Sequence, residues 1–360
     1  MSKLKSVFGA YSDQLQGVVD VSLARFAPTW FPAYFDFGVP TVQLSFVTAI
    51  GRARIEAAAS IIDRDSRTPL RSRPGLEKLS GEVPAIKEMF KMSETDYRNY
   101  LVLQQMNMTD AVKKQQMLDL IFADTKKVGD AAMKKVDMMC LEAVSTGKIT
   151  VNTTNNPDGL VSPVAIDLLM PAVNHRTALA SWETAATATP ITDINNTILA
   201  GQNAGRSFAK MLMSRSRFLK LAAADETRKM ISGYLRVQTK DQVIPILSQV
   251  NDYLTANLLP VIEIIDQVIG VEKDGIIQPV RPFSETNVSF IPDGRLGLIH
   301  NAIPVEKLKP VTAVSYADYN NALISKWSEN EPYGEYTKVE LNAFPGLEAI
   351  NGIFILNTTP

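Results

Sequence analysis

The feature that most constrains this chain is a helical pattern over residues 109–146. Leu118, Ile121, Thr125, Val128, Ala132, Val136, Met139 and Ala143 step by three or four and trace one face of a helix. Thr109 stands where an N-cap belongs, Asp110 falls in the first turn, and Gly147 occupies the position of a C-terminal stop. At about 1.5 Å per residue such a helix spans roughly 55 Å. That exceeds the diameter of a small globular domain, so the pattern predicts a spine along one edge of a flat subunit. Lysines 113, 114, 126, 127, 134 and 135 alternate with Asp119, Asp124, Asp130, Asp137 and Glu142. This mixture reads as a solvated helix face rather than a nucleic-acid patch.

Ahead of the spine the chain is less regular. Leu4, Val7, Phe8, Tyr11, Leu15, Val18 and Val19 fall at helical spacing, which predicts an amphipathic N-terminal helix. Residues 28–40 hold Pro28, Trp30, Phe31, Pro32, Tyr34, Phe35, Phe37 and Pro40. The prolines exclude a long helix. The stretch reads as an extended strap whose rings need a surface to cover, either the subunit's own core or a neighbour. Val42, Leu44 and Phe46 alternate as a strand. A polar segment from Arg64 to Gly81 follows, rich in charge, proline and glycine. Such a segment cannot form a core and reads as a projecting loop.

Beyond the spine the elements are mixed. Helices are expected at 193–204, 214–233 and 245–259, with Thr192 or Asp193 capping the first and Ser214 the second. Val261 to Val271 and Gly275 to Arg281 read as a hairpin about Lys273-Asp274-Gly275. Val288 to Ile291 reads as a strand closed by Pro292-Asp293-Gly294. Tyr336 to Ala343 alternates, Pro345-Gly346 breaks it, and Ile350 to Leu356 reads as a buried strand. The fold class is α+β.

The chain has 360 residues, 46% hydrophobic, with a formal net charge of -1. The length suits two compact parts with extended arms. A near-neutral charge argues against a protein that grips nucleic acid through phosphates. The single cysteine, Cys140, excludes an intrachain disulfide and fits synthesis in a reducing cytoplasm. Its place beside Met139 makes it a small buried hydrophobe. Lys3 and Lys5 resemble the start of a signal peptide, but Asp13, Gln14, Gln16 and Asp20 interrupt the apolar run that should follow. No transmembrane helix is expected. Gly147-Lys148 fails as a phosphate loop, since Glu142 and Ile149 stand where glycine and Ser or Thr are required. His175 and His300 are far apart in sequence and read as packed or surface residues. No catalytic residue, cofactor site or metal site is expected.

Five passages carry a family resemblance: RSRPGLEKLSGEVPAIKEMFKMSETDY at 71–97, VGDAAMKKVDMMCLEAVSTGKITV at 128–151, WETAATATPITDINNTI at 182–198, IPDGRLGLIHNAIP at 291–304, and the closing YTKVELNAFPGLEAINGIFILNTT. In this order they resemble the lambda-like family of phage major capsid proteins, the major capsid protein E family. The resemblance implies the tailed-phage capsid fold of the Hong Kong 97 type. It implies an N-terminal arm at 1–40, an extended loop at 41–95, a peripheral domain from 96–164 and 331–360 with its spine helix at 109–146, and an axial domain at 165–330. It implies that the strap and loop cover neighbouring subunits, which makes Trp30, Phe31, Tyr34, Phe35, Arg67, Arg71, Arg73, Glu77 and Lys78 candidate inter-subunit contacts. Lys78 falls in the region where some relatives cross-link their shells, but the lambda-like branch generally relies on accessory proteins, and no such bond is assigned.

The function implied is self-assembly into hexamers and pentamers of an icosahedral shell around double-stranded DNA. Portal, scaffold and decoration proteins are the further partners implied, with the virion capsid as location and the host cytoplasm as the place of assembly. An encapsulin-type nanocompartment shares the fold and would package protein instead. A soluble mixed-fold enzyme is the rival of another class and has no motif in its favour.

Overall fold

The computed structural model describes residues 15–21, 26–50, 77–96, 98, 102, 110–157, 164–235, 244–331 and 333–360. The chain divides into two compact units, which it enters alternately. The first takes Met1–Phe46, Gly81–Asp137 and Leu298–Pro345; the second takes Val47–Ser80, Met138–Gly297 and Gly346–Pro360.

The first unit is built on a sheet ordered β1 (Phe35–Phe37), β13 (Gly297–Ala302), β16 (Tyr333–Gly346), β15 (Ala322–Asn330), β14 (Ser315–Tyr319), with β4 (Ala85–Ser93) also paired to β16. The β4 ladder runs antiparallel over nine pairs, from Gly334↔Ser93 to Asn342↔Ala85. The turn from β14 to β15 is Asn320-Asn321, both at positive φ (44° and 67°). Those two values mark the tight hairpin turn whose twist matches its strands, and asparagine tolerates it. The strand expected to break at Pro345-Gly346 instead runs to Gly346. Extended backbone accommodates the fixed φ of proline, which costs a ladder only one donor.

The spine forms as helix α2 (Asp110–Thr146), 37 residues long, after a short α1 (Leu15–Val21). Thr109 and the side chains of 110–122 lie outside the described residues. Of the expected stripe, Thr125, Val128, Ala132, Val136 and Ala143 are fully buried and Met139 nearly so. Gly147 ends the helix at φ 72°, a left-handed position that glycine takes without steric penalty. The last carbonyls find partners: Val144 O accepts from Ser289 Oγ at 2.9 Å and Ser145 O from Asn287 Nδ2 at 2.9 Å.

The second unit carries a five-stranded sheet ordered β7 (His175–Thr177), β17 (Phe354–Asn357), β12 (Asn287–Ile291), β8 (Lys210–Ser214), β9 (Val261–Ile265). Helices α3 (Pro190–Asn203), α4 (Arg215–Ala223), α5 (Asp225–Tyr234) and α6 (Leu247–Ala256) accompany it. Their shared core includes Trp182, Ile194, Met211, Phe218, Leu254 and Phe290. Two small ladders complete the unit, β5 (Lys148–Val151) with β6 (Val164–Asp167) and β10 (Ile269–Lys273) with β11 (Ile276–Val280).

Several expectations change here. The helix at 214–233 is two helices broken at Ala224, whose ψ of 138° is extended. Ser214 does cap the first, its Oγ accepting from Arg217 N at 3.2 Å. Neither Thr192 nor Asp193 caps α3, which begins at Pro190. The Ile191 amide donates to Glu226 Oε2 of α5 at 2.9 Å, so the cap comes from a distant residue. Asp193 instead accepts from Trp182 Nε1 and from Leu179 N, each at 2.9 Å, in the buried core. Val261–Val271 is not one hairpin strand: β9 joins the large sheet and only β10 pairs with β11. Residues 350–352 form a 3-10 turn before β17. The closing strand β17 lies between β7 and β12, and β13 to β15 belong with β16. Sheet membership follows hydrogen-bonding partners rather than chain order.

Candidate inter-subunit surfaces

The aromatic strap is held by two carboxylates of the spine. Asp130 Oδ1 accepts from Ala27 N at 2.8 Å. Asp137 is fully buried and accepts from Trp30 N at 2.9 Å and from Phe31 N at 2.7 Å. Such charge-assisted bonds to a fixed helix set the register of the strap. The strap then joins the sheet as β1, with Gly38 N on Ile299 O at 2.8 Å and Thr41 N on Asn301 O at 3.0 Å.

The rings pack inward. Phe26 stacks on Tyr319 of β14 with centroids 3.9 Å apart. Gly129 of the spine lies beneath: a Cβ there would stand 2.7 Å from Phe26 Cε1, so glycine is needed for the close approach. Burial, reinforced by the Asp130 carboxylate, pushes the Tyr319 hydroxyl up to about 12. Phe31, Tyr34 and Phe35 are all buried within this unit. Only Trp30 of the four candidate rings keeps part of its surface, tilted against Tyr34 at 4.8 Å. The subunit's own spine and sheet therefore provide a surface for these rings, the first of the two alternatives open to the strap. Three of the four rings have almost no area left for a second chain.

The loop candidates separate from these. Arg67, Arg71 and Arg73 lie outside the described residues, as does 64–76 as a whole. Glu77 and Lys78 begin strand β3 (Glu77–Glu82), which pairs with β2 (Ser45–Ile50). The side chains of these two residues are likewise outside the described set. The segment expected to be loop up to Gly81 is thus strand from Glu77 onward. Phe46, near the start of β2, is stacked on Phe344 and on His300 with centroids at 4.8 Å in both cases. Gly81 permits this, since a Cβ would lie 3.0 Å from the Phe46 ring.

Asp130, Asp137, Gly129 and Phe26 are the residues that the pattern reading missed. The two aspartates were grouped with a solvated face. A signal was present: Asp137 is followed by Met138, Met139, Cys140 and Leu141 and preceded by Val136, a run with no polar face to belong to. Cys140 is buried, His175 is exposed on β7, and His300 is stacked as described. Among the described residues, no cluster of three or more His, Cys, Asp or Glu side chains could hold a metal ion. No described helix is long and apolar enough to cross a membrane.

No protein-family model matches this sequence, and no curated protein matches it. Solved structures do match. One is the crystal structure of a candidate prophage capsid protein from Escherichia coli CFT073, at TM-score 0.57 and 13% identity over 96% of this chain and 98% of that one. Another is a phage-related protein from Bordetella bronchiseptica RB50, at TM-score 0.50 and 8% identity over 95% and 96% of the two chains. The fold is that of tailed-phage capsid proteins, the Hong Kong 97 type.

Proposed function

We propose that this chain is the major capsid protein of a tailed phage, a structural subunit that assembles with itself into hexamers and pentamers of an icosahedral shell. One observation carries the reading: the likeness to the fold of a candidate prophage capsid protein extends over 96% of this chain and 98% of that one. The neutral balance of charge supports it, because a container must not bind its double-stranded DNA tightly. The first unit, with the long sheet and the spine as far as Asp137, is assigned as the peripheral domain, and the second, with the five-stranded sheet, as the axial domain. The β2–β3 ladder is assigned as the base of the extended loop. Portal, scaffold and decoration proteins are the further partners, with assembly in the host cytoplasm and the virion capsid as final location.

Each contact in such a shell is modest, and closure multiplies it. The test is to express the full chain and examine it by sedimentation and negative-stain microscopy. Closed particles or capsomer-sized rings are expected. A monomer or small compact oligomer at every concentration and salt would overturn the reading. Particles filled with protein and devoid of nucleic acid, from cells that carry the neighbouring phage genes, would favour a nanocompartment instead.

A further inference from the structure

The second unit has an open groove of about 770 Å³ beside its edge strand. Strand β9 ends the five-stranded sheet, so among the described residues no strand pairs with its outer side. Phe218, Leu219, Ile244, Ile246, Ile262 and Ile264 form its apolar lining. Leu219, Ile244 and Ile246 are more than half exposed, at 57%, 58% and 62%. Lys210 and Arg215 also line it, the first in a half-buried ion pair with Glu263 and the second in an exposed pair with Asp266. Pairs of that kind are exchanged at little cost.

The same unit carries an apolar projection. Among the described residues the β10–β11 ribbon pairs only with itself, and the first four of its β11 residues are exposed. Ile276 and Ile277 are 65% and 70% exposed. They are adjacent in a strand and so point to opposite faces. A lone two-stranded ribbon is marginal in water, and apolar residues on both faces make it more so. The turn that closes it presents Glu272 and Asp274 around Lys273, carboxylates of the same kind as the Glu263 and Asp266 that pair with Lys210 and Arg215 at the groove. β9 is the floor of the groove and, after a short connection, leads into β10, so donor and acceptor arise from one continuous piece of chain.

We propose that the β10–β11 hairpin of one copy lies in the β9 groove of a second copy, as a head-to-tail contact within the ring of subunits. The contact deepens the shell reading and rests on it. Ile276 and Ile277 supply the apolar filling, β11 can add to the open edge of β9 by backbone bonds, and Glu272 and Asp274 exchange into the pairs of Lys210 and Arg215. Donor and acceptor are different surfaces, so the contact is heterologous. Repetition by rotation then closes a ring rather than ending at a dimer.

The test uses the full chain. Ile276→Asp with Ile277→Asp changes only an exposed ribbon, so circular dichroism should be unaltered while the assembled fraction falls at least tenfold in sedimentation. Wild-type levels of assembly from this variant would overturn the hairpin contact and leave the shell reading standing. Disulfide trapping gives the second measurement, since Cys140 is the chain's single cysteine and is buried. Ile277→Cys and Ile246→Cys, each alone, should not cross-link with themselves. Oxidised after mixing and assembly, they should give a covalent dimer, and the double variant a ladder reaching whole rings. Assembled double variant that stays monomeric on a non-reducing gel would overturn the proposal. Wild-type chain that forms no ring or particle would instead remove the shell reading itself, and this contact with it.

Discussion

Asp137 is fully buried and joins the spine to the strap through charge-assisted bonds. Removing the carboxylate would leave the Trp30 and Phe31 amides as buried donors without an acceptor. Each bond to a charged group is worth about 1.5–3 kcal/mol, so Asp137→Ala is expected to cost about 3 kcal/mol or more. Urea unfolding of the variant measures this, and a change below about 0.5 kcal/mol would show that the strap is held by its rings alone. Tyr319 adds a pH dependence. Its folded value is raised from 10.0 to about 12, so below pH 10 it changes nothing. Between about pH 10 and 12 the unfolded chain releases the proton more readily than the folded one, and stability falls as pH rises. Tyr319→Phe is expected to flatten that alkaline limb. Equal pH profiles for both proteins would show that the phenol is not shielded. None of this was evident from charge patterning, which weighs an aspartate by its charged neighbours along the helix. What fixes Asp137 is a pair of amides over a hundred residues earlier in the chain.

At the scale of elements, local signals served well where the partners are local. The spine, the Ser214 cap, the Gly147 stop and the Asp274-Gly275 turn all depend on residues within one or two turns of one another, and each stands where the pattern put it. The Ile191 amide is satisfied by Glu226, 35 residues away, and no window along the chain contains both. The break at Ala224 was invisible for a related reason: nothing in Ala222-Ala223-Ala224 opposes a helix, and it is Asp225 and Glu226 in the first turn of α5 that begin a new one. The apolar stripe of the spine makes a contrast that can be measured. Val136 is fully buried, so Val136→Asp is expected to cost several kcal/mol and abolish folding. Lys127 is 58% exposed, pairs loosely with Asp124 at 3.5 Å and lies over the Phe90 ring at 5.4 Å. Lys127→Glu should therefore cost about 1 kcal/mol or less and leave the fold intact. Soluble expression and thermal melts of the two variants decide it, and a folded Val136→Asp protein would show that this face is not core.

For the whole molecule, chain order proved the weaker guide. β16 and β17 are separated by a few residues yet belong to different sheets, and β13 serves the first unit although it follows directly on strands of the second. Periodicity identifies strands, but their neighbours are chosen by long-range pairing that a single sequence does not display. The extended loop is where composition alone still makes a firm statement. Since β3 begins at Glu77, a clean deletion must stop at 76. Replacing 66–76 with a Gly-Ser bridge removes Arg67, Arg71 and Arg73, together with only two large apolar side chains, Leu70 and Leu76. The core loses little area, and a shorter loop costs less entropy to close, so the β2–β3 ladder and the subunit should fold as before. Assembly should not survive. If the arginines pair with acids on a neighbour, each exposed pair contributes only about 0–1 kcal/mol, but the loss recurs in every subunit, and closure amplifies it. Circular dichroism reports on the fold and negative-stain microscopy on particles. Normal shells from the deletion would show that the loop takes no part in assembly, while an unfolded product would mean that residues 66–76 belong to the interior of a subunit.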